Sequence, residues 1–233
     1  MNRLVETLER RDLEALRGWQ EAGLDLRGRY YVGATVLHLA VYYKFEAALV
    51  FFDEIGLDFS VVDANDRNPL HFAASQGHVP SVLYLLACHP ELNRPTTSDC
   101  LLPVAIATIH NHVETVAALL RLTKVDPLEI SGYGRNLYQT AASRGSLAVL
   151  TLLLSHFRPP LQSTLCQTRS GLNLEKPPLA LAREKKQTQV VQWIEEKVRG
   201  GEDCDSGCEV PSQRALQAGV GVRPVATLWL KMS

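Results

Sequence analysis

The 233-residue chain has no apolar run approaching the ~20 residues that a membrane-spanning helix needs, so membrane insertion is not expected. Its start, MNRLVETLERRD, lacks the uninterrupted apolar stretch of a secretory signal. Neither sign of charge dominates. Lys and Arg number 24 against 25 Asp and Glu, for a formal net charge of −1, which argues against a general binder of nucleic acid or acidic membranes. Cysteine is sparse and odd in number, five residues scattered at Cys88, Cys100, Cys166, Cys204 and Cys208. That pattern excludes a disulfide framework and fits reduced thiols in the cytoplasm, with the nucleus as a second compartment. No Gly-rich phosphate loop, nucleophile elbow or His-Glu-x-x-His is present, so neither an enzyme nor a cofactor is expected. What remains is a composition, 46% hydrophobic, that is rich enough to build a core.

The pattern of that core repeats. NPLHFAASQGHVPSVLYLLACHPELN opens at Asn68, and shifted copies open 33 residues earlier at Thr35, 34 residues later at Leu102, and a further 34 later at Asn136. Self-similarity at this period marks stacked supersecondary units, each too small to bury its apolar face alone.

The repeated residues have physical tasks. Asn68 can cap a helix through its side-chain oxygen, and Pro69 suits the first helical position, where no N–H donor is needed. Gly77 supplies the left-handed residue that ends this short helix. His78 leads into a second helix with Val82, Leu85 and Leu86 on one face. Leu70, Ala73 and Ala74 keep the first helix small on its packed side, so that neighbouring units approach closely; His71 is expected to satisfy local polar groups.

A pattern of Thr-Pro-Leu-His, paired alanines, Gly-His and a leucine cluster resembles the ankyrin repeat. His38 and His71 match its histidine and Gly77-His78 its turn, whereas the third copy departs, with Leu102-Pro103-Val104-Ala105 and Asn111-His112. The fourth keeps Ala141-Ala142 and Gly145 but reads Asn136-Leu137-Tyr138-Gln139, and Lys44 replaces the turn glycine of the first. The resemblance covers residues 2 to 198 and implies an all-α solenoid of helix-turn-helix units with short hairpin-like connections.

The expected organisation is a degenerate N-terminal capping repeat at 2–30, divided near Arg11-Asp12, followed by core repeats over 31–158, at about 33–62, 66–96, 100–130 and 134–158. An insertion and a degenerate C-terminal capping repeat follow at 159–198, since a solenoid's terminal faces would otherwise expose core. Residues 199–233 abandon the pattern. They are expected to form a disordered tail, or, in the sharper reading, a docking peptide anchored by Trp229.

With no chemistry evident, function is expected in surface recognition. The resemblance implies partner contacts on a concave side made of hairpin tips and first-helix ends. By register these positions are Tyr31, Tyr42, Tyr43, Asn65, Arg67, Ser75, Gln76, Asp99, His110, Tyr133, Arg135 and Arg144. Tyrosine and arginine dominate binding hot spots, and Arg135 with Arg144 points to an acidic or phosphorylated ligand segment. Asn93 resembles the repeat-end asparagine that an asparaginyl hydroxylase modifies in ankyrin proteins, and is a candidate hydroxylation site.

Metal ligation is not expected. His110 and His112 lack the further converging ligands a site needs, and Cys204 and Cys208 form a C-x3-C without a second pair. The chain therefore reads as a monomeric scaffold or adaptor that holds one or more protein partners and no nucleic acid. A stoichiometric inhibitor of a signalling or transcription protein and a substrate receptor of a ubiquitin ligase are the alternatives.

Overall fold

The computed structural model describes residues 2–96, 98–129, 134–166 and 176–200. Tyr133, Cys204, Cys208, Trp229 and the expected tail lie outside the described residues, as does most of the polar stretch after Gln162. Among the described residues there are helices, turns and no strand, as the all-α reading requires. The chain divides into two compact units, Met1–Val125 and Asp126–Ser233.

The first unit is built of helix pairs. They are α1 (Asn2–Arg10) with α2 (Leu13–Glu21), α3 (Val36–Tyr42) with α4 (Glu46–Glu54), α5 (Pro69–Gln76) with α6 (Val79–Cys88), and α7 (Pro103–Ile109) with α8 (Val113–Leu122). First helices stack on first helices, α1 on α3 on α5 on α7, and second helices stack in a parallel layer, α2 on α4 on α6 on α8. The core lies between the layers. Ala40, Ala48, Ala73, Ala74, Ala107 and Ala118 are fully buried where helices must approach closely, and Leu49, Phe52, Leu85 and Leu119 fill the space behind them.

Each pair turns through one left-handed residue: Arg11, Lys44, Gly77 and Asn111, at φ 55°, 54°, 68° and 59°. They recur 33, 33 and 34 residues apart, and each turn closes with the same two backbone bonds. In the second pair of the series Lys44 N donates to Val41 O and Phe45 N to Ala40 O; in the third, Gly77 N donates to Ala74 O and His78 N to Ala73 O. Only Gly adopts this conformation freely, so Arg11 and Lys44 each carry about 1 kcal/mol of backbone cost. The stacking tolerates it because the repeated turn fixes the angle at which every pair meets the next.

The second unit contains α9 (Leu137–Arg144) with α10 (Leu147–Phe157), a short α11 (Leu161–Cys166), and α12 (Pro178–Glu184) with α13 (Thr188–Arg199). The same turn recurs at Gly145 and Lys186, φ 74° and 57°. α12 packs on α9, and α11 packs on both α12 and α13 with Leu161 and Leu165 buried. The residues after Pro160, read from the sequence as a polar insertion, thus begin with a helix.

Candidate protein-interaction surface

The histidine of the repeat ties one helix pair to the next. His71 Nδ1 accepts the N–H of Asn68 at 3.2 Å, completing the cap of α5, while Nε2 reaches the carbonyl of Leu101 at 3.2 Å. His38 does the same between Thr35 N (3.2 Å) and Arg67 O (2.8 Å). In this geometry Nδ1 accepts and Nε2–H donates, so the ring is neutral. Burial pushes both histidines below their ordinary value, His71 to about 4. Gln139 performs the task in the second unit with an amide. Its Oε1 accepts from Asn136 N at 2.8 Å and its Nε2 donates to Lys176 O at 3.0 Å. The fourth pair, α7 with α8, has neither cap nor staple: Leu102 makes no side-chain cap bond and Ala105 has nothing to donate.

The turns that enter the first helices are tight and share a left-handed residue, Gly33, Asp66 and Cys100 in the first unit and Gly134 in the second. Tyr30 N donates to Ala34 O at 2.6 Å and Asp63 N to Arg67 O at 2.9 Å; Thr96 N reaches Leu101 O at 3.1 Å. Neighbouring turns are bonded to each other by Ala64 N to Val32 O at 3.0 Å and Arg29 to Val62 O at 2.6 Å. Val32 is itself left-handed, φ 56°, and 47% exposed, a strained place for a β-branched side chain.

Of the residues expected to meet a partner, Tyr42 is 52% exposed, with its ring edge-to-face on Tyr43 at 5.1 Å. Tyr43 is half-buried. Burial, then the nearby charges of Glu9 and Tyr42, raises its phenol pKa, and its carbonyl accepts from Arg11 Nε at 3.0 Å. Asn65, Gln76, Asp99, His110 and Arg144 are exposed.

Arg67 and Ser75 are engaged within the fold. The Arg67 guanidinium lies on Asp63, at 2.7 Å from Nη2, and over the Phe72 ring at 5.3 Å. Ser75 Oγ donates to Phe72 O at 2.8 Å, and its carbonyl accepts from His112 Nε2 at 2.9 Å. Arg135, in the second unit, approaches Ser143 Oγ at 3.5 Å. The backbone of Tyr31 lies in the short turn before α3. Asn93 is half-buried, its N–H donating to Pro90 O at 3.2 Å. His110 stacks on His112 with centroids 6.0 Å apart.

Reading by register missed a second set of side chains on the same ends of the helix pairs: Arg10, Arg11 and Lys44, all exposed. The signal was present as the 33-residue offset between Arg11 and Lys44, which places both at the turn.

Residues 9–96 match the family model described as ankyrin repeats, in three copies. Over 147 residues, 62% of this chain, the sequence is 31% identical to Ankyrin repeat protein nuc-2 of Neurospora crassa, of which it covers 14%. It is 27% identical to human Rabankyrin-5 over 124 residues, 53% of this chain and 10% of that protein. A 33-residue stretch is 67% identical to part of the L-asparaginase of Dirofilaria immitis, covering 14% of this chain and 6% of that protein, and its length is that of one repeat. The chain thus spans 14% or less of the relatives named here. No helix among the described residues is long and apolar enough to cross a membrane. Ankyrin repeats are protein-interaction modules. With recurring left-handed turns, histidine staples and matched repeats, residues 9–96 of this chain are ankyrin repeats.

Proposed function

We propose that the chain is a scaffold or adaptor that holds one or more protein partners on the first-helix ends and entry turns of its first unit, without chemistry of its own. The observation that carries this reading is Tyr42, an aromatic ring 52% exposed and braced edge-to-face by Tyr43. A braced ring offers a partner large contact area at little entropic cost. Its surroundings support the same reading. Arg10, Tyr43, Gln76 and His110 each immediately precede the left-handed residue of their pair, so one backbone frame presents four different side chains in a row. A frame that repeats while its outward residues differ suits recognition of an irregular protein surface. The proposed setting is the cytoplasm, with the nucleus as a second compartment.

Affinity capture with mass spectrometry tests the proposal, comparing the intact chain with Tyr42→Ala/Tyr43→Ala, whose folding is checked by circular dichroism. Partners retained by the intact chain and lost by the folded variant are expected; an unchanged partner set sinks the proposal. Adaptor function further requires two partners in one complex, read by eluting through an antibody to the first and probing for the second.

A further inference from the structure

The turns that end α1 and α3 carry three exposed cations, Arg10, Arg11 and Lys44. Arg11 and Lys44 occupy the same place in consecutive helix pairs, both left-handed, at φ 55° and 54°. Glycine would relax the backbone at both, so the two charged side chains are kept at some expense to the fold. The bond from Arg11 Nε to Tyr43 O, 3.0 Å, pins one turn against the next and leaves both terminal nitrogens of the guanidinium without a partner among the described residues. Burial lowers the pKa of His78, and the charges of Lys44 and Arg11 lower it further against the opposing pull of Glu46.

Among the described residues, none of Arg10, Arg11 and Lys44 forms an ion pair. Two acids close to these turns are engaged elsewhere. Asp12 Oδ1 accepts the N–H of Ala15 as the cap of α2, and Glu46 faces His78 Nδ1 at 3.2 Å. Glu9 lies near Tyr43 and helps raise its phenol pKa after burial. The exposed ring of Tyr42 thus belongs to the turn that carries Lys44 and is tied through Tyr43 O to Arg11, which follows Arg10, and among the described residues none of these three cations is ion-paired.

We propose that this patch seats an acidic peptide segment of a protein partner. Its carboxylates engage Arg10, Arg11 and Lys44, and an apolar or aromatic side chain of the same segment packs on Tyr42. Charge complementarity selects the segment and speeds its arrival, and the ring supplies the desolvated anchor. The inference rests on the reading of this surface as the partner-binding one and adds the chemistry of what it holds.

Selection of an unphosphorylated random-peptide phage library on the immobilised full chain tests it. Enriched peptides are synthesised, and their affinity is measured by fluorescence polarisation at low and high salt. The same measurements are made on Arg10→Gln/Arg11→Gln/Lys44→Gln and on Tyr42→Ala, each checked for an unchanged thermal transition. The expected peptides carry Asp or Glu beside an aromatic or apolar residue, bind about tenfold more weakly to the triple variant, and weaken with salt. Tyr42→Ala should lower affinity at least about fivefold. Peptides without acidic bias, or acidic peptides indifferent to the triple variant, overturn the inference; if they still depend on Tyr42, the interaction surface itself stands. A library that yields no binder, or binders indifferent to both variants, overturns both.

Discussion

His112 lies over Gly77, so close that a Cβ on the glycine would meet the ring nitrogen Nδ1 at 2.5 Å and Cγ at 2.6 Å. The glycine therefore answers two demands, a left-handed backbone at φ 68° and room for the ring of the following pair, which in turn holds Ser75 O at 2.9 Å. Gly77→Ala should cost about 2 kcal/mol, about half from the backbone and half from displacing the ring and its hydrogen bond. In a His112→Ala background only the backbone part, about 1 kcal/mol, should remain. Urea unfolding of the four members of this cycle measures the coupling, and a cost unchanged by His112→Ala would deny the steric part.

Stability should fall with acid through the staples. His71 is held neutral with its pKa near 4, whereas the unfolded value is the ordinary 6.5. Between these values the unfolded chain binds more protons, so stability rises with pH from about 4 to about 6.5, by about 3 kcal/mol if the whole shift is expressed. His71→Gln keeps an acceptor and a donor in similar places, as Gln139 does naturally, and cannot titrate. The variant should flatten that part of the pH profile while retaining stability at neutral pH. An unaltered acid slope in His71→Gln would assign the titration elsewhere.

At the fourth pair, α7 has Leu102 at its N-cap and no side-chain cap, where α5 has Asn68 bonded to Leu70 N at 3.0 Å and His71 N at 3.1 Å. Amide hydrogen exchange at the start of α7 should outrun that of α5. Leu102→Asn should slow it and add about 1 kcal/mol. Equal protection of the two helices would mean that packing alone sets their local stability.

Asp63 is the polar centre of the second entry turn. Its Oδ1 accepts from Asn65 N at 2.8 Å and Arg67 N at 2.9 Å, and Oδ2 takes the Arg67 guanidinium at 2.7 Å. Burial opposes the charge, but these bonds outweigh it and hold the carboxyl below its ordinary 3.8, so its contribution is present above that value and is lost as pH falls through the folded pKa. Asp63→Asn should cost about 2 kcal/mol at neutral pH by leaving Arg67 without its carboxylate. Thermal melts at neutral and strongly acidic pH should show the difference between parent and variant shrinking in acid; a difference constant with pH would remove the charge from the account.

Much of this frame could be read from residues with a single local meaning. Asn68-Pro69 starts a helix, Gly77 and Gly145 end one, and paired alanines mark where helices touch. What could not be read were positions where the tertiary frame overrides local preference. Arg11 and Lys186 take the left-handed place that glycine takes elsewhere, and Val32 does so against its own β-branching. Gln139 stands in for a histidine because only the positions of its donor and acceptor matter. At the candidate surface the register singled out Tyr42 and Tyr43 together. Their unequal exposure follows from how α3 sits against the first pair and is not encoded in spacing along the chain, whereas the 33-residue offset of Arg11 and Lys44 places both at the turn without showing that Arg11 bonds to Tyr43 O.

The buried staples run one way. His38 serves the carbonyl of Arg67, His71 that of Leu101 and Gln139 that of Lys176, each a residue further along the chain. Each bond therefore joins a side chain made earlier to a backbone carbonyl made later, and never the reverse. The staples accordingly have a polarity: a nascent chain leaves each staple side chain waiting for the segment synthesised next.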